Sequence, residues 1–549
     1  MTPISSHALP AATAIALSAL VPAQQFGAAT TQTFVIGQNP GVLAAGDIDG
    51  DGDEDLVLAD LVLQNDGFGN YTDVTATVLP TVANRNFFAA VLADLDLDGD
   101  IDLLVSQTET NPTIQGRHLA LFENNQGVFT NITLQAFFDG GSPTVLVGNY
   151  GLLGVGDPDN NGFPDIYAIE NNINGRDLPP ELLMNDGTLF AFHRNVGRFA
   201  QSGPPLTSQP TFYSGTANHI ATAIAVGDVD GDGFEELVVA RTGAGTTAAN
   251  LIFVNRMPVL PAGSVPFFRP QALVDPFGMV IDPTTDIELV DLDNDGDLDL
   301  VVANDDSIVG SYVAENDGSA QIFDPLGAIV PNLGNGFVRP RVVVADFDGN
   351  GASDLVFVET DPNMPGAVQV GMNGVGAPAG TFAAGVTAPT AAGSSLREVL
   401  AADVDLDGDP DLVVGATDAQ TRNQVHLQPN RHRHTELVVQ PVLGDTTLRI
   451  RAVSVPGANP GGQAAMLAIA LATQTPPAPL PPFVGVLGLD PAQAEFIGVA
   501  AIPAPAGAVE FTLAVNYTPA LIGVTAFFES AIAEASGIGF LTNTLAVSY

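Results

Sequence analysis

One acidic loop is written seven times along this chain. Its pattern is Asp-x-Asp-x-Asp/Asn-Gly-x-x-Asp/Glu, followed at once by Leu or Ile. The copies are DIDGDGDEDL from Asp47, DLDLDGDIDL from Asp94, DPDNNGFPDI from Asp157, DVDGDGFEEL from Asp228, DLDNDGDLDL from Asp291, DFDGNGASDL from Asp346 and DVDLDGDPDL from Asp403. Positions 1, 3, 5 and 9 carry 26 carboxylates and two Asn across the set, with no exception. Position 6 is always Gly, as a sharp reversal with positive φ would demand. Asp-Gly clusters also mark plain solvated turns. A turn, however, needs no acid at four fixed positions in every copy.

This spacing points to calcium. The ion takes six to eight oxygen ligands in a forgiving geometry, and short acidic loops supply them from alternate positions, with a backbone carbonyl at position 7. The expected donors are Asp47, Asp49, Asp51, Asp53 and Asp55 in the first loop, and Asp94, Asp96, Asp98, Asp100 and Asp102 in the second. The third supplies Asp157, Asp159, Asn161, Phe163 and Asp165, and the fourth Asp228, Asp230, Asp232, Phe234 and Glu236. Asp291, Asp293, Asp295, Asp297 and Asp299 form the fifth set, and Asp346, Asp348, Asn350, Ala352 and Asp354 the sixth. Asp403, Asp405, Asp407, Asp409 and Asp411 complete the seventh. The fourth residue of each set sits at position 7, whose varied side chains fit a site that uses only the carbonyl. Up to seven Ca²⁺ are expected. The helix–loop–helix calcium hand is excluded, because it needs a bidentate Glu at position 12. That position is Leu58, Val105 or Val414, inside an apolar run, so each loop opens a strand. Magnesium demands a tighter octahedron, and zinc prefers nitrogen and sulfur.

Charge follows from the same residues. The 549-residue chain has a formal charge of −46, of which seven Ca²⁺ would cancel 14. Only 16 basic residues exist, all of them Arg, so nucleic acid is not expected as a partner. Cysteine is absent, which removes disulfides and thiol chemistry. Residues 12–21 form a short apolar run before Val21-Pro22-Ala23, the pattern of a secretory signal cleaved after Ala23. No later segment is apolar enough for a transmembrane helix. The expectation is a protein that is secreted or at the cell surface, where calcium is plentiful.

The loop starts lie 47, 63, 71, 63, 55 and 57 residues apart, the mark of a repeat architecture. One unit reads as four strands: FFAAVLAD (87–94), DLLVSQ (102–107), HLALFEN (118–124) and GVFTNIT (127–133). Asn65-Asp66-Gly67 and Asn316-Asp317-Gly318 read as hairpin turns between later strands of their units. Four antiparallel strands repeated seven times predict a seven-bladed β-propeller. TFVIGQ (33–38) is expected to supply the last strand of the seventh blade and close the ring.

The DxDxDGxxDL cores, with the hairpins that follow them as in QNDGFGNYTDVT (64–75), resemble the FG-GAP/VCBS repeat family over about residues 33–435. The resemblance implies an integrin-α-like propeller with calcium between the first and second strands of each blade. Family members serve in adhesion and ligand display, and some carry enzymes, so the fold does not give the function.

From about Thr435 the acidic loops stop and Pro/Gly-punctuated apolar runs take over. The expected division is a signal peptide over 1–23, the propeller over 24–435 and a smaller β-sandwich-like domain over 436–549. The all-β sequence shows no catalytic motif. His432 and His434 in NRHRHTE form an HxH pair, which reads as a connector against the acidic rim rather than a metal site. The preferred reading is a monomeric, non-enzymatic scaffold that presents loops, above all near 176–218 and 242–270, to an extracellular protein or glycan. The alternative is a secreted polysaccharide-acting hydrolase or lyase on the same propeller.

Overall fold

A computed structural model describes residues 26, 30–34, 43–66, 69–110, 114, 116–139, 141–170, 180–185, 191–195, 219–243, 250–256, 268–273, 283–305, 310–316, 323–325, 337–347, 352–361, 366–374, 382, 386–388, 395–404, 410–418, 422–428, 430, 435–437, 447–453, 463–471, 473–479, 483–484, 486–489, 493–502, 508–514, 525–534, 539–541 and 545–548. The segment 1–23, the HxH pair and most of both long insertions lie outside these residues.

Each acidic loop joins two antiparallel strands. The first strands are Leu43–Gly46, Asn86–Ala93, Tyr150–Gly156, His219–Gly227, Thr284–Val290, Pro340–Ala345 and Ser395–Ala402. Every one ends at the residue before loop position 1. The second strands are Asp55–Leu58, Asp102–Thr108, Asp165–Glu170, Glu236–Gly243, Asp299–Asn304, Asp354–Glu359 and Asp411–Thr417. All seven begin at loop position 9. Third and fourth strands complete each sheet in antiparallel order, consecutive in the chain except for the last strand of blade 7, giving seven blades.

The blades form a closed ring, the β-propeller that the repeat predicts. Each first strand touches the first strands of both neighbouring blades, including the contact of blade 7 with blade 1. The outer strand of blade 7 comes from the other end of the propeller. Thr30–Thr33 pairs antiparallel with Asn423–Gln428, Thr30 opposite Leu427 and Thr33 opposite Gln424. The expected closure is therefore present, but the strand begins three residues earlier than the expected 33–38. Thr33 is common to both spans, Phe34 adds one bond from its N–H to the Asn423 carbonyl, and residues 35–38 lie outside the described residues. Tyr71 reads the same segment, its N–H donating to Gln32 Oε1 at 2.9 Å.

Packing explains why the second strands read as unbroken apolar runs. Successive side chains of a strand point to opposite faces, and here each face meets a different blade. Leu300 and Val302 join the cluster shared with blade 4, whereas Val301 and Ala303 join the cluster shared with blade 6. Seven such clusters fill the seven inter-blade spaces. Full burial of each Val or Leu contributes roughly 1.5–3 kcal/mol, so the ring is held by apolar area distributed evenly around it.

Blade 3 departs from the pattern. The chain leaving blade 2 makes a single helical turn, Thr133–Ala136, and then a strand, Phe137–Asp139. That strand pairs parallel to Phe192–Asn195 at the outer edge of blade 3, which extends the sheet to six strands. Sequence reading gave no warning of it.

Beyond the ring, Thr447–Val453 and Ala508–Ala514 pair in one sheet, while Gln463–Ala470, Glu495–Ile502 and Thr525–Glu534 pair in another. Both sheets contribute to one apolar cluster around Leu448, Ile450, Leu467, Phe511, Phe528 and Ile532. The helical content of the described residues is two single turns, and none of their helices is long and apolar enough to cross a membrane.

Candidate metal centres

Local hydrogen bonding shapes each acidic loop before any ion is considered. In the five loops described throughout, the position 1 carboxylate accepts the same two N–H groups, and Asp47 accepts a third from Gly50. Oδ1 takes position 5 at 3.0–3.1 Å, and Oδ2 takes the Gly at position 6 at 2.8–3.1 Å. The position 5 oxygen in turn accepts the N–H of position 7, at 2.7–3.2 Å. The chain thus coils around its own carboxylates.

The glycine at position 6 has φ of +84 to +98° in all five loops, and a Cβ there would meet almost nothing. Conformation, not space, requires glycine. Position 4 is also left-handed: Gly50, Leu97, Asn160, Gly231 and Asn294 have φ between +55 and +77°. This second reversal was missed from sequence, although Gly and Asn at four of the five positions were a legible signal.

The folded loops bring the expected donors together. Carboxylate oxygens lie within 4.8 Å of one another in Asp47/Asp49/Asp51, Asp94/Asp96/Asp102, Asp157/Asp159/Asp165, Asp228/Asp230/Asp232 and Asp291/Asp293/Asp295. In the sixth and seventh loops Asp348, Asn350, Asp405, Asp407 and Asp409 lie outside the described residues, while Asp346, Ala352, Asp354, Asp403 and Asp411 bracket them. At Asn161 the Nδ2 donates to the Asn185 carbonyl at 3.1 Å, and Oδ1 faces back into the loop to accept from Phe163.

Position 9 has a second role. Asp55, Asp102, Asp165, Glu236, Asp299, Asp354 and Asp411 are all 0–2% exposed. In six of them one oxygen accepts the N–H of loop position 2, at 2.9–3.2 Å. The other oxygen in all seven accepts an N–H from an Asn at the end of the third strand, at 2.6–3.1 Å. Burial is the main cause that pushes five of these acids upward. Asp55 and Asp102 rise to about 7, Asp165 and Glu236 to about 8, and Asp299 to about 6.

Those asparagines latch one blade to the next. Asn65, Asn124, Asn185, Asn255, Asn316, Asn373 and Asn430 each donate Nδ2 to the position 2 carbonyl of the preceding blade's loop, at 2.6–3.1 Å. Asn65 reaches Val404, so the latch also crosses the closure of the ring. The sequence reading took Asn65 and Asn316 as turn residues. They do lie between third and fourth strands, but the inter-blade bond was invisible.

Buried oxygens without a protein partner show that the loops suit a cation. Asp165 Oδ2 is one of them, because position 2 of its loop is Pro158, which has no N–H. Asp53 Oδ1 and Asp297 Oδ1 are two more. Both belong to position 7, where only the carbonyl was expected to matter. Burial and the neighbouring loop carboxylates raise both acids to about 6. Buried carboxylate oxygens without a donor, on all-oxygen loops, match a hard divalent ion.

The same repeats are recognised by family models. The FG-GAP-like repeat model matches residues 291–357, and the FG-GAP repeat model matches 221–254 and 396–427. The chain carries FG-GAP repeats. These matches fall on blades 4, 5, 6 and 7, and the propeller extends the pattern to all seven blades. No curated protein matches the chain. Among solved structures, it is similar to an exo-β-1,3-galactanase from Phanerochaete chrysosporium, at 10% identity over 76% of this chain and 99% of that one, with a TM-score of 0.30. It is also similar to the exotype rhamnogalacturonan lyase YesX, at 13% identity, coverage of 73% and 74%, and a TM-score of 0.35. A Bacillus licheniformis rhamnogalacturonan lyase gives 13%, 73%, 72% and 0.36. Likeness at this level carries no functional weight.

Proposed function

We propose that this FG-GAP-repeat propeller is a secreted or cell-surface scaffold. Calcium holds it rigid, and its open face binds an extracellular protein or glycan. The observation that carries the reading is the convergence of three carboxylate oxygens within 4.8 Å in each of five loops. Calcium would neutralise that repulsion and fix both ends of the strand pair that each loop joins. It would act as structure and not as chemistry. Residues 436–549 form, on this reading, a separate β-sandwich-like unit.

Each site filled at ten times its dissociation constant stabilises the fold by about 1.4 kcal/mol, so seven give on the order of 10 kcal/mol. Treatment with EDTA is expected to lower the melting temperature by roughly 10 °C or more, and added calcium to restore it. A melt indifferent to chelator would overturn the structural role. Release of oligosaccharide from polysaccharide would instead favour the hydrolase or lyase alternative.

A further inference from the structure

The other face of the ring carries a site of different character. A cavity of about 870 Å³ opens there, within the roughly 300–1,000 Å³ range of ligand pockets. Its lining comes from the starts of first strands and the ends of second strands, so it lies opposite the acidic loops.

β-Bulges build its wall. The pairing of first and second strands shifts register between Phe87 and Ala89, Tyr150 and Leu152, Ala221 and Ala223, Thr284 and Asp286, and Leu396 and Glu398. The extra residues are Phe88, Gly151, Thr222, Thr285 and Arg397, and all five line the cavity. Bulges re-aim side chains and gather beside functional sites. Here one backbone device is repeated in five blades, yet it delivers a different side chain in each.

The charge in the cavity is one-sided. Blades 1 to 4 contribute mainly apolar groups such as Leu43, Phe88, Leu152 and Ile224. Blades 5 to 7 contribute three of the chain's sixteen arginines, Arg339, Arg341 and Arg397. Arg341 is already satisfied between Asp286 at 3.6 Å and Glu398 at 3.5 Å. Arg397 is not. Its Nε is buried without a partner, and its Nη2 makes one long contact of 3.4 Å to Thr417 Oγ1. Arg339 sits in the left-handed region at φ +52°, a strained setting for a residue other than glycine. Burial and the like charge of Arg339 both push the Arg397 guanidinium down, with Asp361 opposing them. Two strained or bulged positions therefore hold two like charges at one mouth, with a donor left over.

We propose that Arg397 and Arg339 clamp the carboxylate of an acidic sugar, a uronate unit, whose ring lies against the apolar wall of Leu43, Leu152 and Ile224. A single negative charge fits better than a phosphate dianion, because Asp286, Asp305 and Glu398 share the cavity and would repel a second charge. The same acids can accept hydroxyl hydrogens, which a sugar supplies. This deepens the glycan-binding form of the proposed function and rests on it.

The test is calorimetric titration of the calcium-loaded full chain with a galacturonate trimer, the matching galactose trimer and inorganic phosphate. The expected result is binding of galacturonate alone, weakened at least tenfold by Arg397→Ala at unchanged melting temperature, and unaffected by Arg422→Ala on the exposed rim. Should Arg397→Ala not fold, Arg339→Ala is the second variant, with the same expected loss. Equal affinity for galactose, effective competition by phosphate, indifference to both arginine variants, or no binding of galacturonate would each overturn the proposal. A neutral glycan bound elsewhere, seen on a glycan array, would leave the scaffold reading standing while the uronate clamp fell.

Discussion

The two faces of the propeller are built by opposite rules. On the loop face, every blade repeats the same residues: an acidic loop, coiled in the five that are described throughout, a buried position 9 acid and an Asn that latches to the blade before. On the cavity face, equivalent positions hold Phe88, Gly151, Thr222, Thr285 and Arg397. Sevenfold sameness is what a closed ring needs to distribute strain, because each interface must match the next. Recognition needs the reverse, since a ligand has no sevenfold symmetry. The loop face and the cavity face are thus separated by the length of a strand.

Breaking the closure tests the loop face most severely. Deleting residues 24–34 removes the strand Thr30–Thr33 from blade 7 and leaves the edge of Asn423–Gln428 unpaired. A fall in melting temperature larger than that of any single substitution is expected, and an unchanged melt would show that the ring does not depend on this strand.

Proton linkage separates metal-free from calcium-loaded protein. Five position 9 acids, Asp55, Asp102, Asp165, Glu236 and Asp299, are raised in the folded state to about 6–8, above about 4 for an unfolded carboxylate. Folded protein therefore holds more protons between those values, and its stability falls as pH rises through that window. In EDTA, denaturant midpoints are expected to decrease from pH 5 to pH 8. Calcium binding requires the ionised form, so excess calcium should reverse the slope. Parallel slopes with and without calcium would argue against ions at these acids.

A single latch has a smaller effect. Asn316→Ala strands the buried Val229 carbonyl, now bonded at 2.6 Å, and should cost about 1–3 kcal/mol in equilibrium unfolding. A loss below about 0.5 kcal/mol would mean that water replaces the bond. Smallest of all, Leu97 is 52% exposed with φ +62°. Leu97→Asn should stabilise by up to about 1 kcal/mol by relieving left-handed strain, measurable as a small upward shift of the melt; a destabilised variant would refute the strain.

Much of the loop face was legible because its interactions are local. The nine residues of a loop dictate their own turn, and Asp-x-Asp-x-Asp-Gly determines which oxygens converge. Strand ends at Gly46, Ala93 and Gly156 followed from where the loops begin. The latches were not legible. Asn316 meets Val229 across 87 residues, and nothing near either residue encodes the distance. The same holds for Pro158, whose missing N–H orphans an oxygen of Asp165 only once the loop has coiled.

The sequence by itself determined the number of blades, the chemistry of the loops and the need for a closing strand, because each is set by contacts within a few residues or by simple repetition. Tertiary structure alone decided which carbonyl each Asn reaches, where blade 3 gains its parallel strand, and that Arg339 and Arg397 share a cavity. Those contacts depend on the curvature of a ring closed between Thr30–Thr33 and Asn423–Gln428, and curvature is a property of all the blade interfaces at once.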